Sequence, residues 1–203
     1  MTVSIIIPYK EDRGFLSEAI ASVHAQTFDG EIELIMSQSD NGVSYNLNRG
    51  IEIATGDYIK YLCDDDTLTP NSIKDSLEAI KGYDFIHGNA YNFFEGNESM
   101  NHTYRPPNEL PTLEQMLVPF PIHGGSLMYQ RDVFDKFGKF DESLTTGEEY
   151  EYNMRILSLG AKIGYCDNTL YNYRRHPNQK SLGRNANQSQ RKELINQIRN
   201  RYV

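Results

Sequence analysis

The 203-residue chain contains two cysteines and no tryptophan. Cys63 and Cys166 are isolated, with no C-x-x-C pair, so neither a zinc site nor a disulfide framework is indicated and a reducing, cytoplasmic setting is expected. No stretch approaches the roughly 20 apolar residues of a membrane-spanning helix. The apolar run Val3–Ile7 is short and halted by Pro8, unlike the core of a secretory leader. No internal repeat is visible. Basic residues are in the minority, 20 against 28 acidic, and the net charge of −8 speaks against a general nucleic-acid binder. The deficit is uneven: Arg174 to Val203 holds eight basic residues and one acid, a charge of +7, which leaves −15 on the preceding residues.

What is present suits one domain able to bury its own core. Val3–Ile7 is β-branched and reads as a strand covered on both faces. Phe15, Leu16, Ala19, Ile20 and Val23 recur at helical spacing. A strand over Glu31–Met36, a helix over Val43–Ala54 closed by Gly56, and a strand over Tyr58–Leu62 follow. This alternation predicts an α/β fold with a mostly parallel sheet, where ligands collect beyond the carboxyl ends of the strands. Thr69 is a candidate N-cap for a helix through Ile73, Leu77 and Ile80, and Tyr83–Ile86 predicts a fourth strand. Glu95–Pro121 reads as an irregular functional loop. Further on, the pattern predicts a strand over Gly124–Tyr129, helices over Arg131–Phe137 and Glu148–Leu159, and two short strands, Lys162–Tyr165 and Leu170–Tyr173. A last basic helix over Ser189–Tyr202 carries Leu194, Ile195, Ile198 and Tyr202 on one side. That stripe could pack on the domain, on a second subunit or on an anionic membrane surface.

Three constellations carry chemistry. Asp64-Asp65-Asp66 follows an apolar strand, and adjacent carboxylates repel unless a cation intervenes. Hard oxygen ligands suit Mg²⁺ or Mn²⁺. Gly147-Glu148-Glu149 opens a helix, where the dipole favours a carboxylate and one glutamate could act as a general base. His176, after Arg174 and Arg175, could complete a metal shell or meet phosphate, and His123, ahead of Gly124-Gly125, is a weaker candidate.

The blocks VSIIIPYKEDRGFLSEAIASVHAQTF, NGVSYNLNRGIEIATGDYIKYLCDDDTLTP and GGSLMYQRDVFDKFGKFDESLTTGEEYEYNMRILSLGAKIGYCDNTLYNYRRH, in this order, resemble a family 2 glycosyltransferase. The resemblance runs from Val3 to His176. It implies a GT-A type, Rossmann-like fold: one domain over 1–183, with a nucleotide-binding half to about 95 and an acceptor-side half from 96, and a helical tail over 184–203. It implies that Pro8 and Tyr9 border the base, that Lys10 or Arg13 approaches the diphosphate, and that Gln38, Asp64, Gly124, Gly125 and Arg175 lie on the donor side. Asp65 is then the main metal ligand with Asp64 beside it, while a literal D-x-D register pairs Asp64 with Asp66. The same resemblance makes Glu149 the general base and His176 a metal ligand.

Two departures stand out. Ser37-Gln38-Ser39-Asp40 replaces the family's usual Asp-Asp-Gly-Ser, and Asn46-Leu47-Asn48 stands where an arginine is usual. The expected function is inverting, Mn²⁺- or Mg²⁺-dependent transfer of a sugar from a nucleotide-diphosphate donor, of uridine type, to a saccharide or other hydroxyl acceptor. A sugar-nucleotide binding module without catalysis and a nucleotidyltransferase are the alternatives. The absence of a glycine-rich basic phosphate loop after the first strand speaks against the latter. A homo-oligomer through the C-terminal helix is a further expectation.

Overall fold

A computed structural model describes residues 1–118, 121–179 and 188–203. The boundary expected at 183/184 lies outside these residues. Strand β1 (Thr2–Tyr9) is followed by α1 (Leu16–His24), β2 (Glu31–Gln38), α2 (Val43–Ile53), β3 (Tyr58–Tyr61), a short β4 (Thr67–Leu68) and α3 (Ser72–Ala79). Then come β5 (Phe85–Phe94), β6 (His102–Tyr104), β7 (Met128–Gln130), α4 (Asp132–Phe137), α5 (Glu148–Ser158), β8 (Ile163–Arg175) and α6 (Gln188–Arg199).

The strands form one sheet in the order β2-β1-β3-β7-β5-β8-β4, with β6 on β5. The expected parallel arrangement holds for β2-β1-β3 and for β5-β8, whereas β7 runs antiparallel to both of its neighbours. The sheet is therefore mixed. Its twofold period sorts the apolar residues of β1 onto two faces. Ile6 packs with Leu47 and Ile51 of α2 and with Tyr152 and Ile156 of α5. Val3, Ile5 and Ile7 pack with Ala19 and Val23 of α1 and Ile73 of α3. Gly50 lets α2 approach closely, since a Cβ there would lie 2.5 Å from Ile6 Cγ2.

Several expectations change here. The two strands expected at 162–165 and 170–173 are one, because β8 continues through a bulge opposite Gly88-Asn89 of β5. A Cβ at Gly88 would lie 2.8 Å from Leu170 Cδ1, so glycine makes room for that bulge. Gly124–Ser126 is a 3₁₀ turn, not the start of a strand. Thr69 does not cap α3: its hydroxyl donates to the Thr169 carbonyl and helps fix β4 beside β8. The stripe of α6 packs on its own chain. Ile198 is fully buried, and Ile195 lies against Gly147 at the start of α5. No helix among the described residues is long and apolar enough to cross a membrane.

Candidate active site

The parallel strands β1 and β3 end together at a cleft of about 520 Å³. Pro8 and Tyr9 close β1, and Cys63 to Asp66 turn away from β3, with the Asp66 amide donating to the Cys63 carbonyl at 3.2 Å. Between β1 and α1, Asp12 accepts from the Gly14 amide at 2.7 Å, with Gly14 at φ 92°. That tight turn presents Arg13 to the cleft.

One guanidinium nitrogen, Arg13 Nη2, donates to Asp64 Oδ1 at 2.8 Å and to Asp65 Oδ2 at 2.9 Å. The two carboxylates therefore converge on a single positive group. Burial raises the Asp64 pKa, against the opposing pull of Arg13. Asp66 is different. Only 1% exposed, it accepts from the Tyr171 hydroxyl at 2.5 Å and from the Arg174 amide at 2.7 Å, one bond to each oxygen. Burial and then neighbouring Asp65 push its pKa well up. Asp66 thus ties β8 to the β3 end, while Asp66, Asp65 and Cys63 each offer a ligand atom within 4.8 Å of the others. Burial and the nearby Asp66 and Asp65 likewise hold the Cys63 thiol in its protonated form.

The cleft is also lined by Glu149, in the first turn of α5 after Gly147 in a left-handed conformation. A Cβ on Gly124 would fall 2.6 Å from Glu149 Oε1 and 2.9 Å from the Tyr61 hydroxyl; one on Gly125 would fall 2.2 Å from the Tyr171 ring. The two glycines make room for a carboxylate and a buried ring. Burial, and next to it Glu149, keep Tyr61 a neutral phenol.

Of the residues expected in the site, Pro8, Tyr9, Lys10, Arg13, Asp64, Asp65, Asp66, Gly124, Gly125 and Glu149 line the cleft. Gln38 does not: it is exposed and donates to the Lys10 carbonyl at 3.1 Å. His176 lies behind Asp65, its Nε2 3.1 Å from Oδ2 and its side chain 2% exposed. It is not among the residues that line the cleft but contacts Asp65, which is. Arg175 is not among the lining residues; it stands two residues along β8 from the lining Tyr173, stacked over Phe94 and Tyr173.

The structure adds Ser39, Asn46, Thr146 and Arg191 to the lining. Asn46 donates to the carbonyls of Tyr9 and Ser39, both at 3.2 Å, and so straps the loop after β2 to the end of β1. A buried asparagine on the apolar side of α2 was a readable signal for this role. Nothing in the sequence marked Arg191, which reaches the cleft from α6 and donates to the Thr146 hydroxyl.

The model of glycosyl transferase family 2 matches residues 16–138, more than half of the chain. The chain belongs to this family. An uncharacterized glycosyltransferase of Rickettsia felis is 30% identical over 88% of the chain, and the chain spans 35% of that relative's length. The uncharacterized glycosyltransferase EpsJ of Bacillus subtilis is 24% identical over 87% of the chain, which spans 62% of EpsJ. Among solved structures, S. aureus TarS superposes with a TM-score of 0.69 at 17% identity, over 87% of this chain and 37% of TarS. TarS 1–349 in complex with UDP-GlcNAc gives 0.68 at 17% identity, over 88% and 60%. The fold of this family 2 member is accordingly GT-A-like, a mixed sheet flanked by helices, and the nucleotidyltransferase alternative falls away.

Proposed function

We propose that this family 2 domain is an inverting glycosyltransferase that moves a sugar from a nucleotide-diphosphate donor to a hydroxyl acceptor, assisted by a divalent metal ion. The observation that carries the reading is that one cleft is lined both by an aspartate pair converging on a cation and by a carboxylate at a helix N-terminus. The UDP and UDP-GlcNAc complexes of the structural neighbour TarS support a uridine-type donor.

The donor set fits a hard divalent ion. Two carboxylates already converge on one positive nitrogen, and carboxylates with substrate phosphates are the ligands Mg²⁺ and Mn²⁺ take. Asp65 and Asp64 would hold the ion, with His176 orienting Asp65. When bound, it offsets the charge that builds on the departing diphosphate. Arg13, once released from the aspartates, adds a second positive group on that side.

Glu149 takes the proton of the acceptor hydroxyl. The freed oxygen attacks the anomeric carbon as its bond to the diphosphate oxygen breaks, and a single displacement inverts that centre. Glu149 stands in the first turn of α5, where the N-terminal dipole favours a carboxylate. Tyr61, a neutral phenol near Gly124, is placed to donate a hydrogen bond to Glu149 or to substrate.

Glu149→Gln is expected to lower transfer by about 10²- to 10⁴-fold while donor binding, followed by calorimetry, is retained. Wild-type turnover in Glu149→Gln would refute the assignment. Donor binding without transfer in the wild-type protein, across a broad acceptor panel, would leave a binding module.

A further inference from the structure

Beyond Gly124 the cleft runs onto a second group of side chains that donor binding and proton transfer leave unused. Strand β8 alternates, so Tyr171, Tyr173 and Arg175 share one face while Arg174 turns to the other, toward Asp65, Glu18 and Glu95. On the first face the His123 ring lies 5.6 Å from Tyr171 and 4.9 Å, edge-on, from Tyr173, with Tyr104 at 5.7 Å. The Arg175 guanidinium sits 5.6 Å from the Tyr173 ring centre and 5.1 Å from that of Phe94.

Two polar atoms of this group, His123 Nδ1 and Arg175 Nε, are buried without a hydrogen-bond partner. Such atoms are costly unless something fills them. Stacking fixes the plane of the Arg175 guanidinium but leaves its Nε–H unmatched, and no carboxylate pairs with it among the described residues. Arg13, Arg105, Arg155, Arg174 and Arg201 all have carboxylate partners. Arg191, bonded to the neutral Thr146 hydroxyl, also lines the cleft and has no carboxylate partner among the described residues. Arg131 and Arg199 have no carboxylate partner among the described residues either, but Arg175 adjoins the cleft-lining His123 and Tyr173 and Arg191 lines the cleft itself, which points to an anion supplied from outside.

Burial, and then Arg175 itself, lower the His123 pKa to about 4, so the ring is neutral near pH 7 and free to bond a hydroxyl. His123 adjoins Gly124, against which Glu149 packs. The group therefore belongs to the side where the acceptor hydroxyl must lie, and the donor diphosphate belongs with Asp64 and Asp65.

We propose that this end of the cleft is an acceptor subsite for a saccharide or polyol bearing an anionic group, phosphate or carboxylate, which Arg175 binds, with His123 and the Tyr173 ring on its hydroxyls and sugar face and Arg191 lining the same cleft. The proposal rests on the glycosyl-transfer reading and replaces the donor role expected for Arg175.

The test is binding by ligand-observed NMR on the full chain, with glucose, glucose 6-phosphate, glucuronate and inorganic phosphate as probes. At least one charged sugar should bind about tenfold tighter than glucose, the gain a charge-assisted hydrogen bond gives. It should also outbind inorganic phosphate, and which charged sugar gains tells phosphate from carboxylate. Arg175→Gln should erase the preference and Arg175→Lys keep part of it, with UDP-sugar affinity changed less than about twofold. Equal binding of glucose, no binding of either charged sugar, or a parallel loss of donor affinity in Arg175→Gln overturns the subsite. If Arg175→Gln does not fold, by circular dichroism, the lysine variant and the wild-type probe series decide. Failure of the transfer reading shows separately, as absence of UDP-sugar binding or turnover.

Discussion

Replacing Arg13 with alanine is expected to weaken the fold and strengthen divalent-ion binding at the same time. Arg13 holds Asp64 and Asp65 at 2.8 and 2.9 Å, with side-chain exposures of 28%, 12% and 11%. Each pair attracts by about 5 kcal/mol at about 3 Å in an effective dielectric near 20. Desolvation of the three charges takes back more than half of that, and loss of the guanidinium leaves two adjacent carboxylates uncompensated, a net cost of about 2 kcal/mol. An incoming ion must displace Arg13 from the wild-type pair but not from Arg13→Ala. If displacement costs about 1.4 to 2.7 kcal/mol, the variant should bind Mn²⁺ about 10- to 100-fold more tightly. Titration of free Mn²⁺ by electron paramagnetic resonance reads the affinity directly. Thermal melts with EDTA and with excess Mn²⁺ should show Arg13→Ala less stable without the ion and gaining more from it than the wild type. Equal or weaker Mn²⁺ binding in Arg13→Ala would show that Arg13 does not occupy the ion's place.

The two aspartate registers separate by variant. Asp66→Ala should cost about 3 kcal/mol of stability, by stranding the Tyr171 hydroxyl and the Arg174 amide, whereas Asp65→Ala should chiefly abolish Mn²⁺ binding; urea melts and Mn²⁺ titrations distinguish them. Gly125→Ala drives a methyl into the buried Tyr171 ring and should destabilise by about 1 to 3 kcal/mol, while Gly124→Ala meets the movable end of Glu149 and should cost activity more than stability. Buried Lys60, held by the Ser126 and Leu127 carbonyls at 3.2 Å, has its pKa lowered by burial to about 7. The unfolded chain binds this proton more tightly, so this group makes stability rise with pH above about 7 until the lysine of the unfolded chain loses its proton near 10.5. Urea midpoints should rise more across that range in the wild type than in Lys60→Met, and identical slopes would refute the buried charge.

Much of the nucleotide-side half was legible because its signals are local. The β-branched run Val3–Ile7 can only be a buried strand, the stripe Leu16, Ala19, Ile20 and Val23 only a half-buried helix, and the aspartates can only follow β3. The second half resisted the same reading. The residues His87, Gly88 and Asn89, facing Tyr165, Cys166 and Thr169, look like breaks in sequence, yet pairing across β5 and β8 with a bulge carries both strands through. The residues alone marked the aspartates and the Glu148-Glu149 pair as candidate chemistry, because charge repulsion and helix dipoles act within a few residues; the choice of Glu149 and the place of the two glycines followed from the resemblance to family 2 glycosyltransferases. Only the tertiary structure shows what each group touches: Asp66 accepts from Tyr171 and Arg174, His176 meets Asp65, and Arg13 crosses from another loop to bridge Asp64 and Asp65. It likewise put Arg174 and Arg175 on opposite faces of one strand, giving one a set of carboxylates and leaving the other with none, a difference of register that adjacent identical residues cannot announce.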